Sequence, residues 1–70
     1  MEEFKLEKNE YIELNHLLKV MGLSETGGMA NVAITEGQVK VDGMVELRKR
    51  AKIRSGQVVE FGGKRIIVRS

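Results

Sequence analysis

Gly22-Leu-Ser-Glu-Thr-Gly-Gly-Met-Ala30, GLSETGGMA in one-letter code, separates two stretches of helical periodicity. It also places two adjacent glycines where a second helix should begin. Each glycine inside a helix costs roughly 1 kcal/mol relative to alanine. Read as a turn between helices, the segment makes those helices neighbours, because so short a link cannot carry them apart.

Upstream, residues 10–21 (EYIELNHLLKVM) predict an amphipathic helix. Tyr11, Leu14, Leu17, Leu18 and Met21 trace one face. Asn9 is a plausible N-cap and Gly22 a natural terminator. Downstream, residues 27–36 predict the second helix. Met29, Val32, Ala33 and Glu36 form its stripe, Ala30 and Ile34 flank it, and Gly37 closes it.

The period then changes to two. Val39 and Val41 alternate with Gln38 and Lys40, and Asp42-Gly43 is a strong two-residue hairpin signal. Met44 to Leu47 form the short return. A basic loop spans residues 48–56. QVVEF, Gly62-Gly63 and KRIIVRS make a second hairpin, and residues 4–6 a short first strand. The predicted fold class is α+β: a two-helix hairpin packed beside a small antiparallel β-sheet.

Seventy residues make a single domain, 1–70, with a small core. Without cysteine and with only His16, the chain offers no disulfide, thiolate metal site or multi-histidine site. No run approaches the roughly 20 apolar residues of a membrane span, and the charged start lacks a signal core. A cytoplasmic protein with no cofactor is expected. The net charge of +2 conceals an asymmetry. Residues 1–36 carry three bases against seven acids, a net of −4; residues 37–70 carry nine against three, a net of +6. A basic half on a near-neutral chain suggests a polyanion-binding face.

Catalytic motifs fail on inspection. GQVVEFGGKR has the wrong spacing for a phosphate-binding loop, since position 58 is Val58 and Arg65 stands where Ser or Thr would bind magnesium. The Gly62-Gly63 pair is followed by seven residues, which blocks sulfur-carrier chemistry at a free C-terminus. His16 has no nucleophile or orienting partner nearby in sequence. An enzyme is not expected. Phe4, Tyr11 and Phe61, the only aromatics, are expected in the core. Readout of unstacked bases is therefore not expected; any nucleic-acid binding reads backbone and shape.

Arg48-Lys49-Arg50-Ala51-Lys52-Ile53-Arg54 puts five positive charges into seven residues, with no acid within residues 47–59. Ile53 is expected to anchor the loop while the cations stay in water. At the other end, the N-terminus of helix two offers backbone amides near Thr26, Gly27, Gly28 and Met29 as an anion site. The glycines keep a Cβ out of the way.

The combination of LLKVMGL, TGGMA, EGQVKVDG and SGQVVEF resembles the RNA-binding domain first described in the fourth protein of the ribosomal small subunit, the alpha-L motif. The resemblance covers residues 11–61 and is strongest to small stand-alone bacterial members. It implies non-catalytic binding of structured RNA, rRNA or tRNA-like, with the ribosome as a possible partner. By position it places RNA contacts at Ser24, Glu25, Thr26, Gly27, Gly28 and Asn31. A further face falls on Lys40, Arg48, Lys49, Arg50, Lys52 and Arg54. Many relatives carry Arg or Lys where this chain has Gly27 and Asn31, which shifts the binding burden onto the basic loop. Gln57 replaces an aspartate common after the SG-like turn. The competing expectation is a protein-interaction adaptor that uses the basic loop.

Overall fold

The computed structural model describes all of residues 1–70. The elements run β1 (Glu2–Lys5), β2 (Ile12–Glu13), α1 (Leu14–Val20), α2 (Gly27–Thr35), β3 (Lys40–Val41), β4 (Met44–Val45), β5 (Lys52–Ile53), β6 (Val58–Phe61) and β7 (Lys64–Arg69). One sheet has the order β1-β7-β6-β3-β4, and β2 and β5 form a separate two-stranded ribbon.

Both predicted hairpins form. Asp42 (φ 52°) and Gly43 (φ 84°) supply the two positive φ angles that a tight turn between β3 and β4 requires. Gly62 and Gly63 do the same between β6 and β7. The sheet is mixed rather than antiparallel throughout. β1 pairs with β7 in parallel, Glu2 opposite Ile66 and Lys5 opposite Arg69. These strands are joined by nearly the whole chain, so no hairpin dictates their direction.

The first helix is shorter than its periodicity predicts. Residues 10–13 are not helical: Ile12 lies opposite Ile53 and Glu13 opposite Lys52 in the β2–β5 ribbon. Ile12 and Ile53 both face the core, and burying that β-branched pair outweighs four more residues of helix. Tyr11 mimics helix because it stands three residues before Leu14. Glu13, not Asn9, is the N-cap, and it makes no side-chain cap bond. Asn9 instead donates its side-chain amide to the Leu6 carbonyl at 3.1 Å.

The basic segment supplies what α1 lacks. The Leu14 amide donates to the Ala51 carbonyl at 2.9 Å, and the Asn15 amide donates to the Lys49 carbonyl at 3.0 Å. Two of the helix's unpaired first-turn amides are thereby satisfied by the loop. At its far end Gly22 turns left-handed (φ 74°), and the Leu23 amide reaches back to the Leu18 carbonyl.

The second helix begins where the sequence places it. Thr26 is the N-cap, its hydroxyl accepting from the Met29 amide at 3.1 Å. Its buried face is rotated from the predicted stripe: Ala30, Ala33 and Ile34 are buried, while Met29, Val32 and Glu36 are exposed. Small alanines let α2 lie close to α1, and Ile34 completes the core. That core joins Leu14, Leu17 and Leu18 of α1 to Val59, Ile66 and Val68 of the sheet and to Val39 just before β3. Phe4 and Phe61 pack against it half-buried. Tyr11 does not: it stays exposed. No helix is long and apolar enough to cross a membrane.

Candidate nucleic-acid interface

The basic segment is not a free loop. Arg48 to Arg50 turn, Ala51 is buried, Lys52–Ile53 form β5, and Ile53 is buried as expected. The backbone is thus held at three places: by Ile53 in the core, by the ribbon with β2, and by the carbonyl bonds to α1. All five cations remain exposed.

Their charges are not equally available. Glu46, just outside the acid-free window, takes Arg48 in a two-pronged bond, Nε to Oε2 and Nη2 to Oε1, each 3.0 Å. It also accepts the Arg48 backbone amide. Those hydrogen bonds to Arg48 hold the Glu46 carboxyl below its usual range, and the same contact raises Arg48. Arg48 therefore shares its charge with a fixed carboxylate. Lys49, Arg50, Lys52 and Arg54 enter none of the three ion pairs, which join Arg48 to Glu46, Arg65 to Glu60 and Arg69 to Glu3.

Tyr11 is the residue that sequence reasoning misplaced. The residue is 36% exposed. The Lys52 ammonium lies 5.1 Å from the ring centroid and the Arg54 guanidinium carbon 5.6 Å. The signal was available in hindsight: if Ile12 pairs inward with Ile53, Tyr11 must point outward beside Lys52 and Arg54.

Asn15 joins this patch to the second helix. Its backbone donates to the Lys49 carbonyl and its side chain donates to Asn31 Oδ1 at 2.9 Å. Asn31 lies one turn beyond Gly27 and Gly28 on α2. So hydrogen bonds through Asn15 tie the basic segment and the start of α1 to Asn31 in α2.

At the start of α2 the predicted residues divide. Ser24 is buried; its amide donates to Leu18, so it shapes the turn. Glu25 and Thr26 are exposed. The Met29 amide, expected as part of the anion site, is occupied by the Thr26 hydroxyl. The amides of Gly27 and Gly28 find no acceptor in the chain. Neither glycine has a positive φ. A Cβ at Gly27 would meet nothing within 4 Å, and one at Gly28 would meet only Thr26 Oγ1 at 3.8 Å. The fold does not require glycine at either position.

Lys40 stands apart from the basic segment. It belongs to an outward cross-strand row, Lys40 opposite Glu60 and Glu60 opposite Arg65. Gln38 and Phe61 separate its hollow from the groove along α2, where Thr26, Gly28, Met29 and Val32 line one wall. Gln57 does for its turn what a carboxylate does: Oε1 accepts the Arg54 amide at 2.8 Å. His16 is exposed.

Comparison with known proteins settles the family. Residues 4–69 match the family model described as the S4 domain. The chain belongs to the S4 domain family. This S4 domain is 57% identical over 63 residues to the YbcJ proteins of Escherichia coli K12 and of Shigella flexneri, covering 90% of each chain. Its fold matches the solution structure of E. coli YbcJ with a TM-score of 0.77 and 53% identity, covering 100% of this chain and 89% of the other. That structure is described as revealing an alfaL motif involved in RNA-binding. The S4 domain here has the same α+β arrangement, two packed helices followed by the β3–β4 hairpin.

Proposed function

We propose that this S4 domain is a non-catalytic RNA-binding module that grips structured RNA, rRNA or tRNA-like, by its phosphates. One observation carries the reading: four uncompensated cations, Lys49, Arg50, Lys52 and Arg54, sit on a backbone pinned to α1 and linked through Asn15 to Asn31 of α2. The description of the solved YbcJ structure supports it. Arginine guanidinium groups fork onto phosphate oxygens, and lysines act as point charges. The free Gly27 and Gly28 amides add a site for one more phosphate at the positive end of α2. Lys40 serves a neighbouring strand from the sheet side. Structured RNA suits the arrangement because its shallow groove presents phosphates and 2′-hydroxyls side by side.

The test is a salt series of binding isotherms with bulk tRNA and with rRNA fragments. Roughly three to five phosphate contacts give a log–log slope of about −2 to −5. Binding should be accompanied by RNA that co-purifies and washes off in high salt. A purified protein that carries a discrete protein partner, no RNA, and no affinity for either RNA at low salt would favour the adaptor reading and end this one.

A further inference from the structure

Lys52 and Arg54 converge on one aromatic ring instead of on the carboxylate that faces Lys52 across the ribbon. In the ribbon register Lys52 lies directly opposite Glu13. Unlike charges directly opposite each other on a sheet normally pair. Here no Lys52–Glu13 ion pair forms, and the ammonium sits 5.1 Å from the Tyr11 centroid. Arg54 takes the same ring at 5.6 Å. Carried one residue outward, the register sets Tyr11 beside Arg54, with Lys52 on the diagonal, all on the face opposite to the buried Ile12 and Ile53.

We propose that Tyr11 is a positioning residue of the RNA surface: its ring holds Lys52 and Arg54 together as a fork for one phosphodiester. The inference rests on the RNA-binding reading above. Three physical points carry it. Lysine and arginine lose more rotamer freedom on fixation than almost any other side chain. Holding them in place before the ligand arrives removes part of that loss from binding. The ring's negative π-system also attracts two like charges without an acid between them, which leaves both charges for an anion. A carboxylate in the same place would hold the cations as firmly and cancel them.

The experiment is a double-mutant cycle on the full chain with a fluorescently labelled RNA stem-loop at fixed salt. The variants are Tyr11→Leu and Tyr11→Phe, each alone and combined with Lys52→Ala/Arg54→Ala. Tyr11 is exposed, and its inward neighbour Ile12 is untouched, so circular dichroism melts serve as the fold control. Tyr11→Leu should weaken binding about two- to fivefold, and Tyr11→Phe should bind as wild type. In the Lys52→Ala/Arg54→Ala background, Tyr11→Leu should change nothing. In the free protein, side-chain protons of Lys52 and Arg54 should show upfield ring-current shifts that Tyr11→Phe keeps and Tyr11→Leu loses. Equal losses from Tyr11→Leu with and without the two cations would mean that the ring stacks on RNA itself, and the proposal fails. It also fails if Tyr11→Leu binds as wild type does, or if Tyr11→Phe is as weak as Tyr11→Leu. No binding by the wild-type chain would instead bring down the RNA reading, and this inference with it.

Discussion

The side chain of Asn15 donates to Asn31 Oδ1 at 2.9 Å, so the first turn of α1 and the middle of α2 share one hydrogen bond at the edge of the basic patch. The pair is partly buried. Asn15→Ala strands the Asn31 oxygen and should destabilise the fold by about 1 kcal/mol. For a domain of this size that lowers Tm by roughly 4–8 °C. Asn15→Asp keeps a link once the Asn31 amide turns to donate. It should therefore melt close to wild type yet bind RNA less well, because it adds a negative charge beside Lys49. Melts and binding isotherms on the two variants separate the structural role from the electrostatic one.

The glycine pair offers a sharper dissociation. Both positions have room for a methyl group and neither needs left-handed backbone. Gly27→Ala and Gly28→Ala should each stabilise the fold by up to about 1 kcal/mol. If the bare amides receive a phosphate, both variants should also bind RNA less tightly. Gains in Tm with full affinity would remove the start of α2 from the interface.

Removing the free charges should weaken binding without unfolding the domain. Lys49, Arg50 and Lys52 are exposed and make no ion pair. The triple alanine variant should keep the wild-type melt, lose most RNA affinity, and show a salt slope shallower by about 2 to 3. Affinity equal to wild type would refute the basic-segment mechanism.

Glu46 sets a restraint on Arg48 that can be lifted. Glu46→Gln releases the guanidinium from its two-pronged partner and should tighten RNA binding. The pH dependence follows from the sign of the shift. The Glu46 carboxyl titrates below its ordinary value of 4.5 in the fold. Its contribution to stability is therefore present above pH 4.5 and fades as pH falls through the lowered value. Acid titration of the melt should show that component in wild type and lack it in Glu46→Gln.

Glu25 is the one acid placed at the amide end of α2. It lines the same groove as Thr26 and Gly28. Its charge favours the helix end but competes with an incoming phosphate. Glu25→Gln should increase RNA affinity at low salt, with the difference shrinking as salt screens it. Weaker binding would mean that the carboxylate accepts a hydrogen bond from the RNA.

Much of the arrangement was legible in residue patterns. The Asp42-Gly43 and Gly62-Gly63 turns and the Gly22 stop all follow from local chemistry, and local chemistry is what sequence records. Tertiary pairing is what it hides. Residues 10–13 read as helix because Tyr11 keeps the spacing of Leu14 and Leu17, yet Ile53, 41 residues away, claims Ile12. The same event explains the misplaced aromatic, since pairing Ile12 inward forces Tyr11 out. On α2 the competition was between bulk and closeness: Met29 and Val32 are more apolar than Ala30 and Ala33, but only alanines let the two helices meet. The availability of charge was hidden for a similar reason. Arg48 looked as free as Arg50 until Glu46 folded back onto it.

The carbonyl groups of Lys49 and Ala51, which accept the Asn15 and Leu14 amides, turn those two amides into clocks. Neither amide can exchange its hydrogen with solvent until the basic segment lifts from the helix. Their exchange rates therefore time the opening of the segment from the helix side. An RNA that clamps the segment would slow both amides together, while one that seats only on α2 would leave them at their resting rate.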